Sequence, residues 1–342
     1  MLNKFFALMA SFTMCVGITL NNPIILANAE ESDCVPSEVY SIANSYSMGD
    51  VLNVRSLYDD NENEIAYCAE FINGYAIYDI NNQIIEFSDS NKSPYDGLIS
   101  KSYYAGPLNY YIEDDDEYLN VVSDEIVSDA SFTKQIKIFE EQSLDMATDI
   151  KISTQSSEET KYYDVVLPGQ TRKLDYNTKG TCGSLAATIM LCYYNDYVDS
   201  NFIYPYLSNN PQTLHNYLVN YIELLNEDGT RHGSTLESFI GGLRAAWSSM
   251  SRNSLYITGE KDSSDMWGRA YYYVQVLNRP LCLMINNHPQ YKCHWVVVYG
   301  ASQLRQGSLV KGRYFIINDG WGRDGIRLIE GFNIGMVYMT KD

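Results

Sequence analysis

At 342 residues and 38.9 kDa, the chain is long enough for two domains that each bury their own core. Hydrophobic residues make up 45% of it, which excludes a chain too polar to fold. A net charge of −19 without any basic patch argues against a nucleic-acid partner.

The opening stretch, MLNKFFALMASFTMCVGITLNNPIILANAE, has one lysine, then an apolar run, then Ala27-Asn28-Ala29. That order predicts a secretory signal peptide over 1–29 with the mature chain starting at Glu30, and so a secreted, extracellular protein. Asn21, Asn22 and Pro23 break the apolar run before it reaches the roughly 18 residues of a membrane span. No later segment is long enough, so no membrane anchor is expected. Six cysteines follow the leader: Cys34, Cys68, Cys182, Cys192, Cys282 and Cys293. Export permits disulfides, but the cysteines are sparse and form no metal-like CxxC pair, so a bridge and a structural thiol are both open at each position. A Cys34–Cys68 bridge would staple the N-terminal unit. A Cys282–Cys293 bridge would fix the segment that holds His294.

The acidity is concentrated at the front. From Glu30 to Val165 there are 29 acidic and 7 basic residues, and from Val166 onward 14 and 16. This break predicts an acidic N-terminal unit over 30–142, a polar linker over 143–162, and a second domain over 163–342. Within the first unit, residues 35–50 suit a helix. The alternation in 52–88, with Asn73-Gly74 and Asn81-Asn82 as turn signals, predicts an antiparallel meander. Mixed signals over 119–142 assign no element. In the second domain YYDVVLPGQ reads as a strand and turn, and helices are expected over 185–197, 212–225 and 235–250. Strands are expected at LCLMIN, CHWVVVYGAS, RYFIIND and IRLIEG. Helices followed by an antiparallel sheet make an α+β domain.

Three fragments carry the chemistry. In TKGTCGSLAA, Cys182 stands at the first helical position, behind Thr181 as the N-cap candidate. There the unpaired N–H groups and the helix dipole favour a thiolate. In YKCHWVVVYG, His294 opens a core strand and is a candidate general base for that thiol. In YFIINDGWG, Asn318 and Asp319 end another strand, where Asn318 could orient the imidazole and Trp321 could cover the contact.

In this order the fragments resemble a papain-like cysteine peptidase, nearest in texture to the bacterial secreted streptopain-like and bacteriocin-processing peptidases. The likeness covers 160–342, with Gly183-Ser184-Leu185-Ala186 where papain itself continues Gly-Ser-Cys-Trp. It implies a papain-like α+β fold in which the helical part carries Cys182 and an antiparallel sheet carries His294 and Asn318. It further implies Cys182 as nucleophile, His294 as base and acid, Asn318 as orienter, an extended polypeptide as substrate, and no cofactor or metal. Relatives place an oxyanion glutamine where this chain has Tyr176. Asn177 or Gln170 is then the side-chain substitute, with the Cys182 backbone N–H as the firmer donor. The stretch DDNENEIAYCAEFINGYAIYDINNQIIEFSD resembles the pro-segment of streptopain-like enzymes. That likeness implies a zymogen whose N-terminal unit is an intramolecular partner. The alternatives are a thiol acyltransferase or amidase of the same fold, and a catalytically inactive secreted surface or binding module.

Overall fold

Short apolar bursts between turn formers shape the first unit. The computed structural model describes residues 35–114, 117–149, 160–174, 180–231, 233–250, 256–261, 265–286 and 293–340; the leader, Cys34, Tyr176 and Asn177 lie outside them. Helix α1 (Ser37–Ser45) buries Val39, Ile42 and Ala43 on one face. Strands β1 (Val51–Tyr58), β2 (Glu64–Phe71), β3 (Gly74–Asp79) and β4 (Ile84–Ser88) then form an antiparallel meander. Aspartates close two of its turns. Asp59 Oδ1 accepts from the backbone N–H groups of Asn61 and Asn63, and Asp79 Oδ1 from those of Asn81 and Gln83, each at 2.8 Å. The β2–β3 turn differs from the Asn73-Gly74 expectation, because Phe71 pairs with Gly74 and the loop is Ile72-Asn73. Sheet packing is what requires Gly74, since a Cβ there would lie 2.1 Å from the Ser88 carbonyl oxygen.

Strands β5 (Ser102–Tyr104), β6 (Tyr110–Asp114), β7 (Glu117–Asn120) and β8 (Ile126–Val127) extend the sheet beyond β1. Helix α2 (Asp129–Asp149) lays Phe132, Ile136 and Phe139 against the cores at this end. The expected linker is therefore shorter than 143–162. Residues 143–149 complete α2, residues 160–162 open β9 (Thr160–Val166), and 150–159 lie outside the described residues. The Tyr162 ring anchors β9, with ring centroids 5.3 Å from Tyr46 and 5.5 Å from Phe87.

In the second unit α3 (Cys182–Tyr193) is buried on every side, as its almost wholly apolar sequence dictates. It runs into a π-helical turn (Tyr194–Val198) and is followed by α4 (Pro205–Ser208), α5 (Pro211–Ile222) and α6 (Leu236–Met250). Strand β10 (Tyr256–Lys261) and helix α7 (Met266–Gln275) precede β11 (Leu281–Asn286), β12 (Cys293–Gln306), β13 (Leu309–Asn318), β14 (Asp324–Ile329) and β15 (Asn333–Thr340). The long β12 is the spine. It pairs with β11 and then β9 along one side and with β13 along the other. Side chains alternate between two cores: Leu283, Ile285, Val296 and Val298 face one, while Cys282, Met284, Trp295 and Val297 pack beneath α3.

The two units share one sheet. Strand β14 pairs antiparallel with β4, Ile326 opposite Ser88 and Leu328 opposite Glu86. One core runs from Val39, Ile77 and Phe87 to Phe315, Ile317 and Leu328, so the charge break near residue 165 does not separate independent cores. Buried Arg327 bridges Asp89 at 2.9 Å and Asp164 at 2.7 Å, with its guanidinium 4.2 Å from the Tyr46 ring centroid. The result is a mixed α+β fold. Among the described residues no helix is long and apolar enough to cross a membrane.

The disulfide expectations do not hold for the described cysteines. Cys68, Cys182, Cys192, Cys282 and Cys293 are all free and buried. Cys282 sits opposite Val297, and its thiol contacts the Met190 sulfur at 3.7 Å, whereas Cys293 sits opposite Asn286. The Cys68 sulfur lies 3.4 Å from Ser93 Oγ.

Candidate active site

Cys182 is the first residue of α3 and only 5% exposed. Thr181 occupies the N-cap position with φ −121°, but its side chain makes no capping hydrogen bond. The cap comes from elsewhere in the chain. Glu223, the residue after α5, accepts from the Ser184 backbone N–H through Oε1 at 2.6 Å. The backbone N–H of Trp295 lies near enough to the Cys182 thiol to favour its ionised form, which puts the thiol near the peptide unit joining His294 to Trp295. The thiol's pKa is raised overall, not lowered. Burial pushes it well above its ordinary value, the Glu223 carboxylate and Cys293 push it the same way, and the Trp295 N–H opposes them. Glu125, in the turn between β7 and β8, adds a smaller upward push and so lies within electrostatic range of the thiol.

His294, 4% exposed, is the second residue of β12 and pairs with Ile285. Its Nε2 lies 2.9 Å from the carbonyl oxygen of Asp319. A carbonyl can only accept, so Nε2 carries the proton, and Nδ1 is the basic nitrogen of the neutral ring. Trp321 lies face to face on the imidazole, with ring centroids 4.0 Å apart and planes 2° from parallel.

The orienting role expected of Asn318 falls to the Asp319 backbone. Asn318 Nδ2 donates to Thr171 Oγ1 at 3.3 Å and to the Arg172 carbonyl at 3.2 Å, and its Oδ1 accepts from Gly320 N at 3.1 Å. It ties the segment before the cysteine helix to the 318–320 turn. Asp319 holds the turn itself. Its Oδ1 accepts from the Trp321 and Arg323 backbone N–H groups at 2.8 and 3.0 Å, and its Oδ2 pairs with Arg323 Nε at 2.7 Å. Gly320 (φ +77°) and Gly322 (φ +84°) supply the left-handed geometry that this turn needs.

The structure thus brings Cys182, the His294–Trp295 peptide, Asp319 and Trp321 into one neighbourhood. Gln170 is exposed on the segment between β9 and α3, and Asn177 and Tyr176 lie outside the described residues. Compared with protein-family models and with curated proteins, the chain matches none. Glu223, Glu125 and Arg323 were not singled out by sequence reading. Glu223 and Glu125 are two acids among many, and nothing in YIELL or VVSDE marks them. Arg323 did carry a signal, because Asp319 stands four residues before it across a glycine-rich turn.

Proposed function

We propose that this chain is a secreted thiol peptidase in which Cys182 is the nucleophile and His294 the base and acid, with polypeptide as substrate. The observation that carries this reading is the nearness of the Trp295 N–H to the Cys182 thiol, which brings a helix-terminal thiol close to the residue bearing an oriented imidazole. In the proposed reaction His294 Nδ1 takes the thiol proton as sulfur bonds to the scissile carbonyl carbon. The same proton passes to the departing amine, leaving a thioester. Water then attacks the thioester, giving one proton to Nδ1, and the sulfur leaves and is reprotonated. The Cys182 backbone N–H, at the start of α3, is the proposed oxyanion donor. A raised thiol pKa, Glu125 within range of the sulfur and the shared sheet support a latent form in which the N-terminal unit overlies the site. The same raised pKa favours a second reading, a binding module on a peptidase-like scaffold.

Hydrolysis of an unfolded protein separates the two readings. Cys182→Ala and His294→Ala should each abolish it without changing the circular dichroism spectrum. Full hydrolysis by Cys182→Ala protein would rule the peptidase reading out.

A further inference from the structure

Glu223 is 5% exposed, and its carboxylate points at the first turn of α3. The local sequence makes room for it. An added Cβ on Gly183 would lie 3.2 Å from Glu223 Oε1 and 2.0 Å from Ser234 Oγ, so a larger residue would have to push both side chains aside. The Ser234 carbonyl in turn accepts from Cys293 Sγ at 3.4 Å and Trp295 Nε1 at 3.1 Å. Those bonds tie the loop beside the carboxylate to the strand that carries His294.

Capping Ser184 needs only an acceptor, yet this site uses a group that also carries charge. A helix N-terminus stabilises negative charge over its first turn only. A thiolate at Cys182 and a carboxylate at Glu223 therefore draw on the same partial positive charge, and each makes the other harder to ionise. We propose that Glu223 is a positioning residue for Cys182, whose charge competes with the thiolate for the start of α3 and so sets the pH at which the thiol reacts. This rests on the reading of Cys182 as nucleophile.

Among the described residues, the groups acting on the pair include Ser184 on α3, Arg231 and Ser234 before α6, Cys293 and the Trp295 N–H on β12, and Glu125 from the β7–β8 turn, with the His294 imidazole as the base of the proposed reaction. His215 of α5, hydrogen-bonded to the Thr181 backbone, stands behind the cap. Arg231 is the one cation among them, and its Nη1 donates to the Glu223 carbonyl at 3.4 Å. Burial raises the Glu223 carboxyl to about 7, so its charge appears near neutral pH. Above that pH the thiol has to ionise next to a full negative charge.

Glu223→Gln isolates this effect, because an amide oxygen still accepts from Ser184 while the charge is gone. Alkylation of Cys182 by iodoacetamide in the full chain, followed across pH by peptide mass spectrometry, should show its midpoint fall by about one pH unit or more in the variant. A purely structural cap would leave the midpoint unmoved, and that result overturns the inference. The 13C shift of the Glu223 carboxyl, followed by NMR, should titrate below the alkylation midpoint of Cys182, and a carboxyl still neutral at that midpoint also overturns the inference. Neither measurement depends on hydrolysis. Shifts as expected in a chain whose Cys182→Ala variant still hydrolyses protein would uphold the coupling and sink the peptidase reading alone.

Discussion

Asp319 acts twice at the candidate site. Its carbonyl oxygen fixes the His294 tautomer, and its carboxylate, paired with Arg323, holds the turn that lays Trp321 on the ring. Asp319→Ala would leave Arg323 half-buried without its partner and two turn N–H groups without acceptors. It should cost about 3–5 kcal/mol of stability and lower turnover about 100-fold through a misplaced imidazole, read from urea unfolding and steady-state kinetics. The motif NDGWG was legible in sequence as the element that orients His294, but the atom responsible was not. Strand register decides it. Asn318 pairs with Val297, three residues from His294 and therefore on the opposite face of β12, so its side chain points away from the imidazole. No periodicity visible in the sequence fixes a register that is broken by a bulge between Val298 and Gly300.

Elements closed by local chemistry were the readable ones. Asp59 and Asp79 close hairpin turns within four residues, and the apolar spacing of α5 and α6 marks them directly. Elements defined by distant partners were missed or misjudged. Helix α2 extends into a polar stretch read as linker, and β9, expected from Tyr162, opens two residues earlier, where Tyr162 packs on Tyr46 and Phe87. Helix α7 lay unseen in MWGRAYYYVQ, where bulky aromatics blur the helical period. Gly74 shows the same limit, since its sequence context suggests a turn while its constraint comes from the neighbouring strand. Gly74→Ala should therefore lose about 1–3 kcal/mol by overpacking against the Ser88 backbone, with an unchanged urea midpoint as the contrary result.

Across the whole molecule, the β4–β14 pairing buries an acid at the junction. Glu86 accepts from the hydroxyls of Tyr75 and Tyr110 and from the Leu108 N–H, and burial raises its carboxyl from 4.5 to about 7 although Arg323 pulls it down. Between those two values the folded chain holds a proton that the unfolded chain has released. Stability should thus fall as pH rises from about 4.5 to about 7 and level off above, by a few kcal/mol from this residue. Glu86→Gln should flatten that slope, measured as urea midpoints on either side of the window. The central claim concerns Cys182, and an epoxide thiol inhibitor tests it most directly. With the chain cleaved within 150–159, peptide mapping should find a single adduct on Cys182, absent from His294→Ala protein. An unlabelled Cys182, or equal labelling without His294, would contradict the account.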